Sequence, residues 1–138
     1  MRMGRRFLEL EADVGFEVWA EDLNSLFEEA ALSMYEIMVD VEKVERSIER
    51  HISVSAPDIE MLLHHWLSEL LFITDVERIV FSDFEVKISG NDLEGRAWGE
   101  FIDVERHNPK TEIKAVTYHK LSVREEGGVW RCTVVLDI

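Results

Sequence analysis

The residues with the clearest capacity for chemistry are carboxylates near the two ends of the sequence. Asp137 is the penultimate residue, and Ile138 adds a terminal carboxylate beside it. Like charges this close repel each other, so a bound cation is one expected compensation. Asp13 joins this pair if the last strand lies beside the first strand region. Asp13, Asp137 and Ile138 then predict an oxygen-only metal site that suits Ca²⁺ best, with Mg²⁺ second and Mn²⁺ as another candidate.

The competing interpretation of these carboxylates needs no metal. An Asp in the A-D-V-G segment can accept hydrogen bonds from the backbone amides of a turn, and a chain end can fray into water. The residues alone leave both interpretations open.

The histidines form no recognisable metal motif. His64 and His65 are adjacent on a predicted helix, so their side chains point about 100° apart and cannot chelate one ion together. We expect both to face solvent. His119 shares one side of a predicted strand with Ile113. It is either a histidine at the edge of the core or a polar group that faces a site, and His51 has no evident role.

Composition narrows the class of protein. The formal net charge is -14, with 29 acidic and 15 basic residues, which argues against tight direct binding of nucleic acid. Such a chain suits cations or basic protein partners. There is one cysteine, Cys132, so no internal disulfide is expected, and no signal peptide or membrane span is visible. We expect a soluble, cytoplasmic protein.

Two helices and six or seven strands are predicted to position these residues. Asp22 caps a helix that reaches about residue 38, and Pro57 and Asp58 start a second helix that fades near residues 74–75. Alternating patterns predict strands at residues 5–10, 15–20, 47–55, 83–89, 96–102, 111–124 and 129–138, with turns at 12–15, 90–95 and 125–128. The prediction is an α+β fold: two amphipathic helices packed on antiparallel sheet, in a single domain over residues 1–138.

With these motifs in place, the sequence resembles the archease family over nearly its whole length. The strongest match is R-H-N-P-K-T-E-I-K-A-V-T-Y-H, residues 106–119, called the signature stretch below. Further matches are A-D-V-G at 12–15, L-F-E-E-A-A-L-S-M-Y-E-I-M and W-L-S-E-L-L-F in the two helices, and the V-L-D-I terminus. The family usually carries H-T-A-D at its first motif, whereas Leu10 and Glu11 stand here in the histidine and threonine positions. No role of that histidine carries over.

The resemblance implies an accessory protein and not an enzyme. Archeases assist the RtcB-type RNA ligase in tRNA splicing, by promoting guanylylation of the ligase and its repeated turnover. They are also described as chaperones of a tRNA cytosine-5 methyltransferase, which is the alternative function. The resemblance assigns a metal to Asp13 and Asp137, with Ile138 completing the site through a terminal oxygen.

The signature stretch supplies the candidate partner surface, which consists of His107, Lys110, Lys114 and His119. A metal-dependent hydrolase that uses the carboxylates is a third class of function. It is disfavoured because the sequence shows no evident base, nucleophile or basic substrate site.

Overall fold

The computed structural model describes residues 3–9 and 13–138, in which eight strands form two antiparallel sheets. The strands are β1 (Gly4–Glu9), β2 (Asp13–Ala20), β3 (Ile48–Ser55), β4 (Ile79–Ser89), β5 (Asp92–Phe101), β6 (Ala115–Val116), β7 (Ser122–Glu126) and β8 (Val129–Asp137). The larger sheet has the order β1-β2-β8, and both β6 and β7 pair with the far side of β8. The smaller sheet has the order β3-β5-β4.

The helices pack against both sheets. They are α1 (Leu23–Met38), α2 (Ile59–Glu77) and the short α3 (Val104–His107), and a 3-10 turn covers Val41–Lys43. Helix α1 contacts β2 and β8 of the larger sheet and β4 of the smaller one, while α2 contacts β3, β5, β6 and β7. None of the helices in the described residues is long and apolar enough to cross a membrane.

Capping side chains fix where the two long helices begin. The Asp22 carboxylate accepts the Ser25 backbone N–H at 2.8 Å, and the Asp58 carboxylate accepts that of Met61 at 2.9 Å. Each bond satisfies an amide that the first turn of a helix leaves without a partner. Both caps were predicted from the sequence and are confirmed.

The core joins the two helices through aromatic side chains. The fully buried Trp66 donates its indole N–H to the Phe27 carbonyl at 3.0 Å. The hydroxyl of Tyr35 lies 3.0 Å from the Leu70 carbonyl and 2.6 Å from the Thr74 hydroxyl. Burial of these aromatic rings stabilises the core, and the hydrogen bonds remove the cost of burying their polar atoms.

The predicted α+β class, with helices on antiparallel sheet, is confirmed. The predicted turn over residues 12–15 is wrong from Asp13 onward, because Asp13 already belongs to β2. Leu10, Glu11 and Ala12, including the position of the family histidine, lie outside the described residues. The prediction for residues 90–95 is also only partly right, because the turn is short and β5 begins at Asp92.

The long strand predicted over residues 111–124 is wrong. In this range residues 111–114 lie in no strand, β6 is only two residues long, and a loop at residues 117–121 separates it from β7. Val116 pairs with Leu136 and Ser122 pairs with Thr133, so five residues on one side face only two on β8. The three surplus residues cannot pair, and the loop leaves the sheet. The hairpin turn at Gly127 and Gly128, both with positive φ, was predicted correctly, but Glu125 and Glu126 of the predicted turn belong to β7.

Candidate functional site

Asp13 and Asp137 lie directly opposite each other where β2 pairs with β8. Residues opposite each other in an antiparallel pair project from the same face of the sheet, about 5 Å apart. Ala115 of β6 lies opposite Asp137 on the side of β8 away from β2. Asp13, Asp137 and Ala115 are therefore neighbours across three adjacent strands. Both carboxylates are partly buried. The fold therefore brings together two carboxylates that are far apart in the sequence.

Close approach of β2 and β8 depends on Gly15. A Cβ atom at this position would lie 2.7 Å from the Val134 carbonyl oxygen, well inside normal contact distance. The backbone of β8 cannot move aside without breaking its pairing with β2. The glycine of the A-D-V-G motif thus permits the register that faces Asp13 with Asp137.

The chemistry of these donors fits a hard divalent cation. Both side chains offer only oxygen, and among the described residues neither forms an ion pair with a basic side chain. Within the same residues, no set of three His, Cys, Asp or Glu side chains is placed to hold an ion. A metal here would need the carboxylate of Ile138 and water to complete its coordination, as Ca²⁺ tolerates.

Three of the four predicted surface residues are exposed. Lys110 lies beside the end of α1, with its ammonium 3.6 Å from the Asp40 carboxylate. Lys114 is exposed, and its backbone N–H donates to the Asp137 carbonyl at 2.8 Å. His119 is exposed in the loop at residues 117–121. The signature stretch therefore lies directly against the strand that carries Asp137.

His107 departs from this expectation because its side chain is completely buried, so it cannot contact a partner directly. Its Nδ1 accepts the Asp103 backbone N–H at 2.9 Å, and its Nε2 lies 2.8 Å from the Glu100 carboxylate. Since Nδ1 accepts, Nε2 carries the proton and donates to Glu100. His107 holds the loop that leads to Lys110 in place.

Glu100 is the anionic centre of this network. Its carboxylate accepts hydrogen bonds from the Arg106 guanidinium at 2.6 Å and from the Glu45 backbone N–H at 2.9 Å, besides the bond from His107. These donors, Arg106 foremost, lower the pKa of Glu100 to about 2. Sequence reasoning missed this network because its members are scattered along the chain.

His64 corrects another expectation, since it is buried and does not face solvent. Its Nε2–H donates to the Val116 carbonyl at 2.8 Å, and the Ser68 hydroxyl lies 3.4 Å from its Nδ1. The Tyr118 ring stacks on the imidazole with centroids 4.2 Å apart. Burial lowers the pKa of His64. His64 thus connects α2 to the signature stretch.

An apolar cavity adjoins the start of the signature stretch. It has a volume of about 510 Å³ and lies between the ends of α1 and α2 and residues 109–113. Its wall includes Met38, Ile102 and Ile113, with the cationic side chains of Arg78 and Lys110. Concave apolar surface with a few charged groups is typical of binding sites.

Sequence comparison with known proteins finds relatives that are named archeases. The sequence model of the archease protein family matches residues 6–138. The chain is 42% identical to an archease of Pyrococcus furiosus, over 92% of this chain and 93% of that protein. It is 43% identical to an archease of Methanothermobacter thermautotrophicus, over 98% of this chain and 99% of that protein.

Solved structures share the fold. The solution structure of Methanobacterium thermoautotrophicum protein 1598 superposes with a TM-score of 0.86 at 42% identity, covering 98% of this chain and 99% of that one. A crystal structure from Thermotoga maritima, described as an archease and a "possible chaperone", superposes with a TM-score of 0.69 at 22% identity. It covers 95% of this chain and 94% of that one, and shows the same fold.

Proposed function

The chain belongs to the archease family, and from that premise we propose that it activates an RtcB-type RNA ligase in tRNA splicing. In this role it promotes guanylylation of the ligase and allows repeated turnover, while the ligase carries out the joining of RNA ends. The observation that carries the proposal is the pairing of Asp13 with Asp137 beside an exposed signature stretch. Two carboxylates that form no ion pair within the described residues, together with nearby lysines, form a polar edge suited to a charged partner.

In this proposal Asp13, Asp137 and Ile138 hold a divalent cation, with Ca²⁺ favoured over Mg²⁺ and Mn²⁺. A cation bound there would supply positive charge that can neutralise charge on a phosphate. The role of the protein residues is to fix the oxygen donors. Gly15 permits the close strand pairing, and the Lys114 N–H holds the Asp137 carbonyl from the other side.

Docking on the ligase would use the signature stretch. A ligase that grips RNA must present basic surface, and this chain carries a net charge of -14. Such complementarity accelerates encounter and orients the partners. Lys110, Lys114 and His119 then make individual contacts, and the adjoining cavity can accept an apolar side chain of the ligase.

The test is RNA ligation by the cognate ligase with GTP and metal, in single-turnover and multiple-turnover conditions, with and without this protein. We expect repeated turnover only in its presence, and loss of that effect in Asp137→Asn. Glu125→Gln, which removes the same charge at the exposed β7–β8 hairpin, serves as the matched control and should stimulate normally. Full stimulation by Asp137→Asn would refute the role of the carboxylate edge.

A second candidate function is a chaperone of a tRNA cytosine-5 methyltransferase. The description of the Thermotoga maritima relative as a "possible chaperone" supports it. This function predicts that the protein suppresses aggregation of the methyltransferase, measured by light scattering, without changing ligation. An effect on ligation alone would favour the first function.

A further inference from the structure

We propose that the free edge of β3 and the adjoining face of α2 form a docking groove for an extended, basic segment of a partner protein. The segment would add as a further antiparallel strand beside β3. This surface belongs to the smaller sheet, whereas the carboxylate edge belongs to the larger one, so the inference goes beyond the proposed activation of a ligase.

The first argument is the direction of the backbone groups of β3. The Ala56 N–H donates to the Asn91 carbonyl at 3.1 Å, which places the even-numbered residues in the ladder with β5. In an antiparallel strand the alternate residues turn their N–H and C=O to the opposite side. His51 and Ser53 therefore direct these groups away from β5, towards the open edge.

Two other edge strands in the described residues, β4 and β7, carry side-chain caps on outward N–H groups. On β4 the three outward N–H groups after the bulge are capped by side-chain oxygens, in the pairs Phe84 with Asp83, Val86 with Glu28 and Ile88 with Asn24. On β7 the Val123 N–H is capped by Glu60. Such caps prevent another strand from pairing with an edge.

The edge of β3 is capped only at its two ends among the described residues. Arg50 donates to the Glu49 carbonyl at 2.9 Å, and His65 donates to the Ser55 carbonyl at 3.1 Å. Between them, the N–H and C=O groups of His51 and Ser53 have no partner in the described part of the chain. An incoming strand can form two hydrogen bonds with each of these residues.

The second argument is the groove beside this edge. A depression of about 480 Å³ lies between β3 and α2, with Val54 on one wall and Phe72 on the other. Phe72 is 58% exposed, and Val76, one turn further along α2, is 63% exposed. Two exposed apolar side chains at this spacing form one stripe, which could pack against alternate side chains of an added strand.

The negative charge of the groove and of the whole chain indicates that the segment bound in the groove is basic. Glu69 lies in the groove, and no basic side chain of the described residues pairs with it. The chain as a whole carries a charge of -14, so a second copy would be repelled, whereas a segment rich in Lys or Arg would be attracted. We therefore assign the groove to a different, basic partner.

The test uses a short peptide in which lysine alternates with valine and isoleucine, and measures amide hydrogen exchange of the labelled protein by NMR. We expect saturating peptide to slow exchange of the His51 and Ser53 amides by about tenfold or more. The amides of Ile52 and Val54, already bonded to β5, should change little. Asp137→Asn should respond as the wild type does, which separates this inference from the proposed ligase activation.

Two control peptides test the backbone and charge arguments separately. A peptide methylated on alternate backbone nitrogens should lose the protection, because it cannot pair as a strand. A peptide with glutamate in place of lysine should bind at least about tenfold more weakly. Equal protection by either control, or no protection by the lysine peptide, would overturn the proposal.

A variant pair tests the groove itself. Phe72→Ser should raise the dissociation constant of the lysine peptide by about tenfold, because it removes an exposed apolar anchor. Phe7→Ser, which changes an exposed phenylalanine on the other sheet, should leave it within about twofold. If the His51 and Ser53 amides become protected with rising protein concentration alone, and sedimentation shows a dimer, a second copy is the occupant and the proposal is wrong.

Discussion

Two buried histidines hold the signature stretch against the rest of the molecule. His64 donates to the Val116 carbonyl from α2, and His107 donates to Glu100 of β5. The second nitrogen of His107 accepts the Asp103 N–H, and the Ser68 hydroxyl, which can donate or accept, lies beside the second nitrogen of His64. The pattern around His107 needs a neutral ring, and burial, by lowering the pKa of His64, favours its neutral form. The conformation of the candidate partner surface therefore depends on uncharged histidines beneath it.

Replacing His64 should destabilise the protein in a pH-dependent way. Burial lowers its pKa in the folded state below the ordinary 6.5. Protonation therefore favours the unfolded chain, so the stabilisation is complete above about pH 6.5 and is lost as the pH falls towards the folded-state pKa. We expect His64→Gln to lower the free energy of unfolding by about 1–2 kcal/mol near pH 8, and by less near pH 5. Urea denaturation at several pH values measures this difference.

His51→Gln is the matched control for this prediction. The His51 side chain is 72% exposed, so its replacement should change the free energy of unfolding by less than about 0.5 kcal/mol at any of these pH values. An equal loss for His64→Gln at both ends of the pH range would contradict the assignment of a buried, neutral His64.

At the scale of elements, the carboxylate edge depends on how closely β2 and β8 approach. Gly15→Ala would place a methyl group 2.7 Å from the Val134 carbonyl oxygen, and only a backbone shift can relieve the clash. We expect a loss of about 1–3 kcal/mol in the free energy of unfolding, and altered amide chemical shifts at Asp13 and Asp137. Denaturation and NMR of the same sample give both quantities.

Gly90→Ala is the control for Gly15→Ala. It measures the cost of replacing a glycine where the new methyl group meets no other atom. Gly90 has a φ of 61° and open space around its Cβ position, so Ala there costs about 1 kcal/mol through backbone strain alone. Its effect should stay near the β4–β5 turn. Unchanged Asp13 and Asp137 shifts in Gly15→Ala would show that the strand register does not require the glycine.

The same elements show what the sequence could predict. The spacing of apolar residues predicts α1 and α2, because a helix buried on one face repeats at 3.6 residues. The split of residues 111–124 into β6 and β7 could not be predicted, because it arises from pairing with β8 and not from the local pattern.

The candidate site was also predictable from the sequence only in part. The pairing of Asp13 with Asp137 follows from an antiparallel arrangement of the two end strands, which the sequence suggested. Burial of His64 and His107 was not predictable, because the acceptors that satisfy them, Val116 and Glu100, lie far away in the sequence. A polar residue is buried where tertiary contacts satisfy it, and no local pattern records those contacts.

For the whole molecule, the charge of -14 should govern the rate of association with a basic ligase. Salt screens long-range attraction, with a Debye length of about 10 Å at 0.1 M and about 3 Å at 1 M. We expect the association rate constant to fall by about tenfold or more between low and high salt, while the dissociation rate constant changes much less. Stopped-flow fluorescence over a salt series separates the two constants.

Two variants that have the same net charge show which part of the surface governs the association rate constant. Glu112→Gln removes a negative charge beside Lys110 and Lys114 in the signature stretch, and Glu125→Gln removes one at the β7–β8 hairpin. If the signature stretch meets the ligase, Glu112→Gln should change the association rate constant more than Glu125→Gln does, because charge acts most strongly within a Debye length of the contact. Equal rate constants for the two variants would place the contact elsewhere, and an association rate independent of salt would show that the net charge of this protein does not guide it to the ligase.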